Sequence, residues 1–236
     1  MLAASAQDPH NDLPSWLWLW FPPLLLIVQL AWRGYDYNAY RQLVESERGL
    51  VELATPAVLL VGVFAGAALW RRRHKIPYPW VRVWLALVTL GCVYFAGEEM
   101  SWGQHLVGWE TPAFISNVND QGETNLHNIS SWFDQKPRLA LEIWVLVGGI
   151  AYPLLRSCRG APAVDGWPYC FWPTKVVMPT AILALVVRLP ERLKPVFDIT
   201  VWPLEIRYSE TQEYYYALFL SIYLLSLARR LGVARE

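Results

Sequence analysis

Apolar residues in this chain fall into long blocks and show no helical or strand period. Six stretches are almost wholly apolar: 15–32, 50–70, 79–97, 138–155, 174–190 and 213–228. Most approach the ~20 residues that an α-helix needs to cross the hydrocarbon core of a bilayer. A helix satisfies its own backbone polar groups, which lipid cannot do. The pattern therefore predicts an all-α fold, an integral membrane helical bundle of about six transmembrane helices. The first run opens SWLWLWFPP. Its tryptophans suit a membrane interface, and Pro22–Pro23 mark either a kink or the true start of the helix. Ala65, Gly66 and Ala67 in the second run allow close helix approach. Between the runs lie polar connections at 33–49, 71–78, 98–137, 156–173 and 191–212. The domain reading is a polar tail (1–14), a single six-span membrane domain (15–230) with one structured outer loop (98–137), and a short tail (231–236).

Composition agrees with this pattern. Of 236 residues, 55% are hydrophobic, only 17% are charged, and 14 are Trp. The formal net charge is zero and no basic face stands out, which argues against nucleic acid as a partner. Membrane lipids are the expected neighbours. Cys92, Cys158 and Cys170 lack metal-type spacing, and a Cys158–Cys170 pair would face the reducing side, where disulfides are rare. No cleavable signal peptide is evident: the first run lacks a basic n-region. Lys and Arg are almost evenly shared between the two sides, but the dense clusters are not. Arg71–Lys75 and Arg229–Arg230 fall on the same side, which predicts N-in and C-in. Arg71–Lys75 then also meets anionic lipid.

Candidate chemistry concentrates between Glu98 and Asn128, EEMSWGQHLVGWETPAFISNVNDQGETNLHN. If the third span stays helical past Phe95, Glu98, Ser101, Trp102 and His105 share one face, with Glu99 about 100° away. Glu123 and His127 are spaced i, i+4 and, on a helix, bite one cation together. Glu98, Glu99, Glu123 and His127 thus form a candidate divalent-metal site. Without metal, the same groups serve as general acid and base, with Ser101 and His105 secondary and Gln104, Asn125 and Asn128 orienting them. Asp120 adds a further acid. Two adjacent carboxylates at a low-dielectric boundary repel, so one must be protonated, paired or metal-bound. Local cations are scarce, Lys136 and Arg138 being the only Lys or Arg between residues 83 and 155. Glu98 or Glu99 is therefore expected within a few ångströms of Glu123 or His127. The plainer alternative is that the glutamates mark the water boundary, that His105 sits at the interface beside Trp102 and Trp109, and that Asn125 and Asn128 cap helix ends.

The segments EEMSWGQ (98–104), ETP (110–112) and GETNLHN (122–128) resemble a pattern in an uncharacterised group of bacterial multi-pass membrane proteins. That likeness implies a multi-pass fold in the bacterial inner membrane and brings no activity with it. Two looser resemblances do. CAAX-type intramembrane proteases carry a Glu-Glu pair on a membrane helix, with an Arg three residues beyond it and later His/Asn motifs. Glu98–Glu99 and His127–Asn128 are similar, while Trp102 holds the Arg position. Alkaline ceramidase-like hydrolases place Ser and His at i, i+4 near a zinc ion, a spacing shared by Ser101 and His105. No His follows His127, so a zinc site here would need Glu123 and His127.

The expected function is a membrane-embedded hydrolase or transferase acting on a lipid or a membrane-bound peptide at the outer face. The alternative is a non-catalytic membrane subunit or lipid-binding protein whose folded loop docks a protein partner. A transporter fits less well, because the acids cluster at one end of the bundle. Arg188, at the end of the fifth run, binds a lipid phosphate, pairs with Glu98 or Glu99, or snorkels to the interface. Arg207 and Glu205 pair or line the same pocket, or belong to a solvated segment.

Overall fold

The computed structural model describes residues 12–46, 49–112, 124–125, 131–158, 166–202 and 204–232, with backbone alone at 105, 106 and 131–134. Every regular element among them is helical. A π-helical turn, Trp16–Trp20, leads into α1 (Phe21–Tyr35). Pro22 and Pro23 fall where the π-helical turn gives way to α1, a place where the regular hydrogen-bond ladder is already interrupted. The short α2 (Tyr37–Leu43) is capped by Asp36, whose side chain accepts from Ala39 N at 2.9 Å. The spans α3 (Leu50–Arg71) and α4 (Pro79–Glu99) follow, then the single turn α5 (Gln104–Val107). α6 (Ser131–Trp144) passes through a π-helical stretch, Val145–Ala151, into α7 (Tyr152–Cys158). α8 (Gly166–Phe171), α9 (Met178–Val186) and α10 (Leu189–Phe197) lead to the long α11 (Tyr208–Arg230).

Among the described residues, five helical segments are long and apolar enough to cross a membrane: Trp16–Tyr35, Leu50–Arg71, Pro79–Glu99, Gln135–Cys158 and Gly166–Phe197. They coincide with the first five apolar runs. The sixth run lies within α11, which at 23 residues is long enough but too polar to join them. Instead α11 is the axis of the bundle. It packs along α3 and against α9, and α3 packs in turn along α4. Tyr215, Tyr216, Phe219, Ile222 and Tyr223 of α11 are fully enclosed.

Small residues set these seams. A β-carbon on Gly62 would lie 2.9 Å from Ser221 Oγ, so α3 meets α11 almost backbone to backbone. One on Gly66 would overlap Thr89 of α4. Hydrogen bonds tie the axis to its neighbours. Ser221 Oγ donates to Val58 O at 2.7 Å, and the Tyr215 hydroxyl donates to Pro22 O at 2.9 Å. Gln29 Nε2 joins the Tyr40 hydroxyl and Thr211 Oγ1, each at 3.0 Å. Burial pushes the Tyr40 phenol up to about 12, so it stays neutral and available to this network.

The two ends of the bundle differ. At one, Arg72 donates to Gly232 O, Arg230 donates to Tyr169 O and Trp172 O, and Thr174 donates to Asp12. Residues 12 and 232 therefore lie at the same end as the basic run Arg71–Lys75. At the other end Arg33 donates to Glu205 O, Arg207 donates to Glu45 O, and α4 finishes in Glu98–Glu99. Of the alternatives open for Arg207 and Glu205, a direct pair between them is not the one found. Arg207 pairs with Glu210 one turn along, and Glu205 pairs with Lys194.

Candidate functional site

The stretch after Glu99 departs from a straight helix. Ser101, Trp102 and Gly103 have φ of 44°, 55° and 89°, three consecutive residues in the left-handed region. That conformation suits glycine and costs L-residues roughly 1–2 kcal/mol each. Contacts over-determine it here. The Trp102 indole folds back onto α4 and lies across Gly97, where a β-carbon would come within 2.9 Å of Trp102 Cε3. Trp102 Nε1 donates to Glu98 Oε1 at 2.7 Å, and the ring meets Tyr94 edge to face at 6.2 Å. The lid so formed leaves Glu98 only 4% exposed. The expectation that Glu98, Ser101, Trp102 and His105 run along one helical face is therefore not met. Trp102 reaches Glu98 through a reversed turn, Ser101 is buried in that turn, and His105 sits on α5, its side chain outside the described residues.

Gln104 then ties the segments on either side of the loop together. Its Nε2 donates to Thr111 Oγ1 at 2.8 Å, and its Oε1 accepts from Thr124 N at 2.7 Å. Thr111 Oγ1 and Thr124 Oγ1 are 3.2 Å apart, and Trp109 Nε1 donates to Thr124 Oγ1 at 3.1 Å. Asn125, buried, donates from Nδ2 to Ser101 Oγ at 3.4 Å. Gln104 and Asn125 thus join Thr111, Thr124 and the Ser101 turn to one another. Asp120, Glu123, His127 and Asn128 lie outside the described residues, as does the expected approach of Glu123 or His127 to Glu98 and Glu99. Among the described residues no group of three or more His, Cys, Asp or Glu is placed to hold a metal ion.

Glu98 and Glu99 close one end of a cleft of about 380 Å³ between α4, α6 and α11. Its walls are aromatic and aliphatic, with Tyr94 and Phe95 from α4, Leu141 from α6, and Tyr216 and Leu220 from α11. The far end is closed by Trp84 and Trp144, edge to face at 4.8 Å and backed by Phe171. Trp84 is fixed in turn by donating Nε1 to the Tyr223 hydroxyl at 2.9 Å. The glutamate end also carries Arg138 of α6, ion-paired with Glu213 of α11 and donating to Ser209 Oγ at 3.3 Å. The sequence marked Arg138 only as a scarce cation and gave Glu213 no role. A helix-to-helix pair 75 residues apart leaves no local signal. Arg188 does not join the glutamates of α4. It donates to Glu191 Oε2 at 3.0 Å and to Gln212 Oε1 at 3.1 Å.

Comparison with family models, with curated proteins and with solved structures returned no match.

Proposed function

We propose that the protein is a membrane-embedded hydrolase or transferase that takes an amphiphile into the cleft between α4, α6 and α11. The observation that carries this is the cleft itself. It is apolar along its length and ends on two carboxylates, one of them nearly sealed from solvent. The volume falls within the ~300–1,000 Å³ typical of small-molecule sites. An apolar chain fits the walls, and the bond to be broken then lies against Glu98 and Glu99. Two neighbouring carboxyls can share the work of a proton donor and a base. The donor set Glu98, Glu99, Glu123 and His127 also suits a divalent cation such as zinc, which would polarise a carbonyl or activate water. Six crossings with both termini inside, in the bacterial inner membrane, complete the proposal. Support comes from residues 12 and 232 lying at the basic end, as an even number of crossings requires.

The test uses full-length protein in detergent micelles. Lipid extracted from the purified protein is identified by mass spectrometry and then supplied as substrate. Gly91 lines the cleft with open space beyond it, so Gly91→Leu fills the cleft without displacing a neighbour. The expected result is loss of the amphiphile in G91L, and retained binding without turnover in E98Q and E99Q. Chelation followed by zinc addition tests the metal. Bound amphiphile with no turnover under any condition would move the protein to the non-catalytic lipid-binding class. That alternative draws on the Gln104–Thr111–Thr124 hydrogen bonds, which hold these polar residues in fixed positions at the glutamate end.

A further inference from the structure

On the other side of α6 lies a second pocket, of about 400 Å³, between α6 and the corner where α9 passes into α10. Its lining includes three arginines, Arg138, Arg188 and Arg192, with the acids Glu142 and Glu191. We propose that this pocket binds a phosphate group, chiefly through Arg188 and Arg192.

The chemistry favours phosphate on three counts. Arg188 is held from behind: Gln212, wholly buried in α11, accepts from its Nη1 at 3.1 Å and is itself fixed by donating Nε2 to Ala184 O at 2.9 Å. A guanidinium positioned this way loses little freedom when it takes up an anion. Its pairing with Glu191 is an exposed i, i+3 contact at 3.0 Å, the kind worth ~0–1 kcal/mol, which a bidentate phosphate can displace. The Nη2 of Arg188, and the Nε and Nη1 of Arg192, have no partner among the described residues.

The setting supplies the rest. Below the pocket, Leu139, Ile143 and Leu146 form an exposed apolar stripe at i, i+4 and i+7, and Ile182 and Val186 of α9 are likewise exposed. In a bilayer these faces meet acyl chains, which brings head-group phosphates to the depth of the arginines. The same donors would equally accept inorganic phosphate from solution.

The experiment uses full-length protein in dodecyl maltoside, which carries no phosphate. Native mass spectrometry is run with phosphatidylglycerol or an uncharged diglucosyl diacylglycerol, and calorimetry with inorganic phosphate alone. The expected result is retention of phosphatidylglycerol over the uncharged lipid, weakened at least tenfold in R188Q/R192Q. Calorimetric binding of inorganic phosphate, lost in the same variant, would mark free phosphate as a ligand. Binding of the lipid alone would mark the head group. Equal retention of the two lipids, or retention unchanged by R188Q/R192Q, overturns the proposal. R192Q alone removes a half-exposed side chain and guards against misfolding, since it should melt like the wild type and still bind several-fold more weakly. G91L should bind phosphate normally, so failure at the cleft and failure at this pocket are distinguishable.

Discussion

Along α1, Leu24, Ile27 and Val28 are each more than half exposed, whereas almost every side chain of α11 is buried. By hydropathy the order is reversed: the segment containing α1 qualifies as a membrane span, and α11, which carries Ser209, Glu210, Gln212 and Glu213, does not. In water this arrangement would be perverse, since each exposed Å² of apolar surface costs roughly 25 cal/mol. In a bilayer the outer faces meet lipid, which is as apolar as leucine, and association must come from close packing and hydrogen bonds. The helix at the centre is therefore the one that holds the polar groups. Hydropathy reports which residues face lipid, and says less about which helix organises the bundle.

The sharpest way to break this comparison is at the seam of α3 and α11. Gly62→Leu forces a side chain into Ser221, whose Oγ and Cα would lie 2.9 and 3.3 Å from the new β-carbon. Overpacking of this kind costs about 3 kcal/mol, or a fall in Tm of about 6–12 °C for a chain of this length. Gly91→Leu is the control, with nothing within 4 Å of its β-carbon. Thermal unfolding in detergent should separate the two clearly. Equal melting would mean that the seam is looser than glycine contact implies.

The next effect tests hydrogen bonding at the axis. The Tyr223 hydroxyl accepts from Trp84 Nε1 at 2.9 Å and donates to Phe171 O at 2.6 Å. Tyr223→Phe strands the Trp84 N–H in an apolar site and removes the donor to Phe171, a loss of about 2 kcal/mol. Trp84 would also be released at the closed end of the cleft. Intrinsic fluorescence, followed through the unfolding transition, reads both changes. A variant as stable as the wild type would show that the aromatic packing alone holds this corner.

These contrasts explain what was legible in the sequence. The five apolar runs were plain because a helix able to cross a membrane demands continuous apolar residues. The run at 213–228 understated α11, which begins at Tyr208, because a helix surrounded by other helices can carry Thr211 and Gln212 provided they find partners. At the site, Glu98–Glu99 stood out as charge at the end of an apolar run. The turn that follows did not, since Ser101 and Trp102 carry no preference for positive φ and only Gly103 hints at it. The i, i+4 spacing of Glu98 and Trp102 suggested contact for a helical reason, and contact occurs by chain reversal. The Arg138–Glu213 pair and the cleft it caps depend on how three helices meet, which no local pattern encodes.

A smaller effect is expected in that turn. Gly103 has φ of 89°, so Gly103→Ala costs roughly 1–2 kcal/mol if the turn is kept. Gln104 and Thr124 are joined to the turn by side-chain hydrogen bonds at one end of the bundle, so the change should appear as faster hydrogen exchange at Gln104 and Thr124, with global unfolding nearly unmoved. Slower exchange, or none, would argue that the left-handed run is not the conformation in solution.

The smallest effect belongs to the outer face of α1. Leu24→Ala removes a side chain that is 55% exposed and serves no hydrogen bond. In a micelle, leucine at this position touches detergent in the folded state and in the unfolded helix alike. Its deletion should then shift unfolding by less than ~0.5 kcal/mol, the range of surface substitutions. The same deletion in a buried core would cost about 2–5 kcal/mol. A loss in that upper range would mean that Leu24 is covered by something other than lipid, most simply a second copy of the chain. Dilution separates the cases: a face buried between copies makes stability rise with protein concentration, and a lipid-facing residue leaves it flat.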